Sequence, residues 1–276
     1  MALLKSAQLF KKNKRLNRLK LDENRIILTF PKCMKMINKN ELKYIQSFAH
    51  KKHWAEESVF IIEGPKMMEE LMASDWVIRQ AYATKDWIQN QPFKPHYVTE
   101  VADFELDKLS QLQKGNQVLA LVEKKQVKGP IHLKGKLTLV LDGIQDPGNL
   151  GTIIRTADWF GLDQILVSPD TASCFNPKVV QSTMGSILRV QVVVADLPEL
   201  IQSSKLPIYG AVLEGKSIQT TDLAKEGILI IGNESRGIRQ PLLSMITDPI
   251  TIPRYGAAES LNAAVATGII LAKWQH

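Results

Sequence analysis

Residues 137–161 read LTLVLDGIQDPGNLGTIIRTADWFG, and the order of the chemistry in this stretch sets the fold class. Leu137 to Leu141 is a short, apolar, partly β-branched run of the kind that forms a buried strand. Asp142 to Gly148 carries two glycines and a proline, which is turn chemistry. A helix follows, because Leu150, Ile153, Ile154, Ala157 and Phe160 share one helical face, Asn149 is placed to cap the start, and Gly161 stands where glycine ends helices. Strand, turn and helix in that order put Asn149 and Arg155 near the carboxyl end of a strand, where open α/β sheets bind ligands. Both are therefore site candidates.

Toward the C-terminus, strands are predicted at 137–141, 164–167, 190–194, 208–212, 228–231 and 249–252. Helices are predicted near 149–160, 177–184, 197–203, 240–246 and 260–274. Such alternation implies an α/β fold with a mostly parallel sheet covered by helices on both faces. Toward the N-terminus, KKQVKGPIHLKGK (124–136) holds five lysines, two glycines and a proline, the composition of an interdomain linker. Residues 37–123 predict a small α/β domain. Its strands are expected at 59–63, 78–83, 96–98 and 118–122, and its helices around 42–49, from Gly64-Pro65 to Met72, and around 104–112. The cluster His50-Lys51-Lys52-His53-Trp54 fits a phosphate contact with Trp54 stacked on a base, and equally a solvated helix end with one tethering aromatic.

A chain of 276 residues with a net charge of +7 would ordinarily suggest a nucleic-acid binder, but the charge is unevenly spread. Residues 1–36 hold ten Lys/Arg against Asp22 and Glu23, which leaves 25 basic and 26 acidic residues in the remaining 240. Affinity of the globular part for RNA must then come from local patches. The basic segment 1–36 reads as a nucleic-acid-binding arm, as an organelle transit peptide, or as disordered sequence upstream of a start at Met34 or Met36. No apolar run reaches 18 residues and no secretory core is visible, so no membrane association is expected. Cys33 and Cys174 have neither metal-ligand spacing nor a disulfide framework, which points to the cytoplasm and to no metal.

Neither a G-x-G-x-x-G after a strand nor a G-K-[ST] is present, so dinucleotide and P-loop chemistry are disfavoured. Three separated segments stand at strand ends instead: Gly148-Asn149-Leu150-Gly151 leading to Arg155; Ile230-Ile231-Gly232-Asn233-Glu234-Ser235-Arg236-Gly237; and Ile252-Pro253 leading to Glu259-Ser260-Leu261-Asn262. In a parallel sheet all three turns project at one edge, which makes one site.

DPGNLGTIIRTADWFG, IIGNESRGI and IPRYGAAESLNAAVATGI resemble, in order and separation, the three motifs of the SpoU, or TrmH-like, branch of the SPOUT RNA methyltransferases. The resemblance covers residues 137–276, and 38–123 is similar to the family's RNA-binding domain, itself similar to certain ribosomal proteins. With the composition, which sets off a tail (1–36) matching nothing in the family and a linker (124–136), it leaves an RNA substrate-binding domain (37–123) and a methyltransferase domain (137–276). It implies a C-terminal trefoil knot, a homodimer through the C-terminal domain, S-adenosylmethionine as methyl donor and an RNA ribose 2′-hydroxyl as acceptor, and the extra RNA-binding domain favours rRNA over tRNA. The donor would be held by Gly232, Ile252 and Leu261, with glycine allowing close backbone approach and the two aliphatic side chains sandwiching adenine.

Asn149, Glu234, Ser260 and Asn262 carry over as polar site residues. Each also has a structural alternative: Asn149 as helix cap, Glu234 as acceptor for loop N–H groups, Ser260 and Asn262 as caps of the last helix. Arg155 carries over as the catalytic residue, in a cationic role because guanidinium stays protonated in proteins; its structural alternative is an ion pair with Asp142, Asp146 or Asp158. A non-catalytic RNA-binding protein that kept the fold and a nucleotide-dependent oxidoreductase are the competing functions.

Overall fold

The computed structural model describes residues 37–92, 95–112, 114–125, 131 and 133–274. The basic segment 1–36, and with it every reading of that segment, lies outside the described residues.

The first layer is a four-stranded sheet of β1 (Val59–Glu63), β2 (Ile78–Ala83), β3 (Val98–Glu100) and β4 (Val118–Glu123) in the order β1-β4-β2-β3. Among the described residues its helices are α1 (Lys39–Ser47), α2 (Lys51–Glu56), α3 (Pro65–Met72), α4 (Lys85–Gln89) and α5 (Asp103–Leu109). Asn38 caps α1 by accepting from the backbone N–H groups of Asn40 and Glu41, which is why that helix starts where the periodicity begins. The third strand lies two residues later than predicted and the last helix of this layer ends three residues earlier, while α2 and α4 were not predicted. Helices of five or six residues contain too few turns to show a period.

The second layer is a six-stranded sheet in the order β10-β8-β9-β5-β6-β7, parallel at every pairing. It comprises β5 (Leu137–Asp142), β6 (Gln164–Val167), β7 (Gln191–Val194), β8 (Ile208–Ser217), β9 (Gly227–Gly232) and β10 (Asp248–Thr251). Its helices are α6 (Pro147–Trp159), α7 (Pro177–Thr183), α8 (Leu197–Gln202), α9 (Leu242–Met245) and α10 (Ala263–Trp274). Alternate strand residues go to opposite faces, as the pleat requires. Leu139, Leu141, Ile165, Leu229 and Ile231 join the cluster of α6, α7 and α10, whereas Val140, Leu166, Ile228 and Ile230 join that of α8 and α9.

Two details differ from expectation. β8 runs to Ser217 rather than to 212, because its register with β10 shifts between Pro249 and Ile250 and the extra length is paired beyond that irregularity. α6 starts at Pro147 rather than Asn149. Pro147 occupies the first turn, where its fixed φ suits a helix and its missing N–H costs nothing, and Asp146 is the cap, its carboxylate accepting from the Asn149 N–H at 2.7 Å. The Asn149 side chain is thereby left for other work.

The two layers share one apolar cluster. Phe60 lies 5.0 Å, ring to ring, from Phe175, and the Trp76 indole donates to the Leu188 carbonyl at 2.9 Å. Arg189 binds Glu70 of α3 and Asp158 of α6 at once. These pairs are partly exposed, so Arg189→Met should cost about 1 kcal/mol and lower the melting temperature by roughly 2–4 °C in differential scanning calorimetry.

Candidate active site

The carboxyl ends of β5, β9 and β10 carry the three segments singled out in the sequence, and hydrogen bonds join them. The Asn262 amide donates to Asn149 Oδ1 at 2.7 Å, and Asn149 Nδ2 donates to Glu234 Oε1 at 2.5 Å. Asn262 Oδ1 also accepts from the N–H groups of Ala264 and Val265, so it caps α10 while it holds Asn149. Residues 113 positions apart are therefore placed by one amide. Glu234 does not collect loop N–H groups as its structural alternative required; Asn233 does, accepting from Ser235 and Arg236 and donating to the Gly143 carbonyl at 2.8 Å. Asn233 was not anticipated as a site residue, although an Asn at the start of a glycine-bounded loop is a usual signal for such a turn.

Gly232 closes β9 where the chain folds back on itself. A β-carbon there would sit 2.3 Å from the Gly237 carbonyl carbon and 2.4 Å from the Ile238 nitrogen, so only glycine fits. Beside it opens a cavity of about 660 Å3, within the size range of small-molecule sites. Its walls include Gly232, Glu234, Ile252, Ser260 and Leu261. Ile252 is half-buried, packed against the apolar cluster on one side, and Leu261 is 47% exposed, and both line the opening. Ser260 is exposed and makes no hydrogen bond to a described residue, which removes its role as a helix cap.

Arg155 lies on α6, exposed, outside the cavity wall and without an ion pair to any described carboxylate. The three aspartates offered as its structural partners are all engaged elsewhere. Asp146 caps α6, Asp158 binds Arg189 and Ser186, and Asp142 binds Arg239. Trp54 is half-buried, with its indole N–H donating to the Phe48 carbonyl at 2.7 Å.

Arg239 and its partners were also missed. Asp142 was visible as an acid ending a buried strand, but its cation stands 97 residues later, beyond any local pattern. Arg239 also holds the Asp170 carboxyl below its usual range, and at Asp158 the hydrogen bonds from Arg189 and Ser186 outweigh the upward push of burial. Carboxyls depressed in the folded state contribute stability above about pH 4, and that contribution is lost as pH falls through their folded values. Acid titration of the melting temperature should thus show a steeper fall in the wild type than in Arg189→Met.

A model of the SpoU rRNA methylase family matches residues 136–272, and one of an MRM3-like substrate binding domain matches 39–120. The 23S rRNA (guanosine(2553)-2′-O)-methyltransferase RlmP of Bacillus subtilis is 31% identical over 226 residues, which span 80% of this chain and 90% of that protein. The chain belongs to the SpoU rRNA methylase family. Among solved structures, a TrmH-family protein from Porphyromonas gingivalis is 34% identical with a TM-score of 0.78, covering 87% of this SpoU chain and 98% of its own. An AdoMet-bound rRNA methyltransferase from Sinorhizobium meliloti is 28% identical with a TM-score of 0.76, covering 87% and 97%. The motif resemblance, the parallel α/β architecture and the paired N-terminal domain thus agree in this SpoU protein.

Proposed function

We propose that the protein transfers the methyl group of S-adenosylmethionine to a ribose 2′-hydroxyl of ribosomal RNA, and that it works as a homodimer. The observation that supports this best is the Asn262–Asn149–Glu234 chain of hydrogen bonds beside an apolar, glycine-floored cavity. The relatives named above carry the rRNA preference. The division into 1–36, 37–123, 124–136 and 137–276 belongs to the same reading, with 37–123 binding RNA. So does a trefoil knot, for which the shared cavity of the 232–238 and 252–261 loops argues.

The cavity fits the donor: its volume suits a nucleoside-sized ligand, and Gly232, whose missing β-carbon lets the 237–238 backbone pack against it, lies in the wall. When bound, S-adenosylmethionine supplies an electrophilic methyl group. Gly232, Ile252 and Leu261 would hold it, Ile252 and Leu261 covering adenine. Asn149, fixed by Asn262, orients the Glu234 carboxylate at the mouth of the cavity, and Ser260 offers a free hydroxyl on the same rim. Arg155 grips a substrate phosphate and stabilises the alkoxide that develops on the ribose oxygen, while the proton leaves to water or to a phosphate oxygen.

Purified protein should incorporate label from methyl-tritiated S-adenosylmethionine into deproteinised rRNA more than into tRNA, at a position resistant to alkaline hydrolysis. RNA binding without incorporation would favour a non-catalytic role. At a hundred times its dissociation constant the donor should add about 2.7 kcal/mol of stability, raising the melting temperature by roughly 5–10 °C.

For the dimer, the supporting surface lies where α6 meets α10. Gly268 abuts Thr156, with 3.8 Å from its would-be β-carbon to the Thr156 methyl. The exposed ridge of Thr152, Arg155 and Trp159 therefore adjoins that of Val265 and Ile269. Trp159, Val265 and Ile269 are 85%, 50% and 39% exposed, and adjoining apolar side chains of this kind support an interaction site there. Light scattering should report about 62 kDa, twice the chain mass of 31.0 kDa. Ile269→Asp should halve it, and a monomeric wild type at micromolar concentration would remove the proposal.

A further inference from the structure

The loop that bears Gly232 and Glu234 is folded back on itself. Asn233 and Gly237 exchange backbone hydrogen bonds of 3.1 and 2.9 Å, leaving the loop as a narrow tongue with its two ends side by side. A tongue of this shape keeps its place only if both ends are fastened. The first end is held by Asn233, which donates to the Gly143 carbonyl just beyond β5. The second end leads to Arg239.

We propose that Arg239 is the positioning residue of this loop, bolting its far end to the carboxyl ends of β5 and β6 through Asp142 and Asp170. The Arg239 backbone N–H donates to Asp142 Oδ2 at 2.7 Å and its Nε to Asp142 Oδ1 at 3.0 Å, with Nη2 also on Oδ1. Nη1 and Nη2 reach the two Asp170 oxygens at 2.8 and 2.9 Å. Asp142 is 1% exposed, and among the described residues Arg239 supplies all of the hydrogen bonds to its carboxylate. A buried carboxylate left without its cation is strongly unfavourable, so the loop end has one position. Ser168 completes the frame, accepting from the Gly143 N–H at 2.8 Å and donating to Asp170 at 2.7 Å.

Because β5 runs directly into the turn before α6, the frame that grips Arg239 also sets Asn149. Glu234 and Asn149 are thus registered from a common base, although Arg239 lies outside the cavity wall. The planar guanidinium serves two carboxylates at once, and lysine offers no such fork. This inference rests on the cavity being the S-adenosylmethionine site.

Isothermal titration with S-adenosylmethionine tests it in the full chain, alongside hydrogen exchange of the 232–239 amides. Arg239→Met should weaken donor binding at least tenfold and speed exchange in the loop at least tenfold, with Arg239→Lys between it and the wild type. The double variant Asp142→Asn/Arg239→Met removes both charges. Its melting temperature should recover above that of Arg239→Met while donor affinity stays at least tenfold down. Binding within twofold of wild type in either methionine variant would overturn the proposal, as would affinity that recovers in step with the melting temperature. A wild-type protein that does not bind the donor would instead overturn the assignment of the cavity, and the exchange rates would still decide whether Arg239 pins the loop.

Discussion

Arg155→Ala is expected to bind S-adenosylmethionine like the wild type and to methylate RNA roughly 10²–10³-fold more slowly in a single turnover, comparable to losing one oxyanion donor. Arg155→Lys should fall in between, since it keeps a cation but loses the fork that contacts a phosphate and an oxyanion together. The structure sharpens this expectation. Arg155 is exposed and takes no part in an ion pair with a described carboxylate, so its removal breaks no described contact that stabilises the fold. A circular dichroism spectrum like that of the wild type should accompany the loss of rate. Normal turnover in Arg155→Ala would remove it from catalysis.

Gly232→Ala should be nearly as damaging by a different route. The added methyl meets backbone rather than a flexible side chain, at 2.3 and 2.4 Å, so the tongue must move away from β9. Overpacking of this kind costs about 1–3 kcal/mol, and the displaced backbone is the part of the site that would approach the donor. Titration should show donor binding lost or weakened by more than a hundredfold in a protein that still folds by circular dichroism. Wild-type affinity in Gly232→Ala would show that this crossing does not touch the donor.

The parallel sheet was legible because β5 and α6 differ sharply in period, and because Pro and Gly punctuate the turns between them. The meeting of three motifs was legible from topology alone, since parallel strands carry their turns to one edge. What escaped notice depended on choices between chemically similar residues or on distance along the chain. Asp146 and Asn149 are both good caps, and Pro147 decides between them. Arg155 had three plausible acidic partners in its own neighbourhood, but Asp142 and Asp158 are taken by the distant Arg239 and Arg189, and Asp146 by the Asn149 N–H that it caps. Glu234 and Asn233 stand side by side, yet the shorter side chain takes the loop and leaves the longer one for Asn149.

The junction between the two layers has a consequence for how RNA would be chosen. Arg189 touches α3 of the first sheet and the last turn of α6, the helix that presents Arg155. With Phe60 against Phe175 and Trp76 bonded to Leu188, the two parts are packed together like the jaws of a set caliper rather than strung like beads. If 37–123 binds RNA as proposed, an RNA that reaches both would have to hold its target ribose at the matching span. Selection by such a gauge is selection of folded shape, and short unstructured oligonucleotides carrying the right nucleotide should be poor substrates.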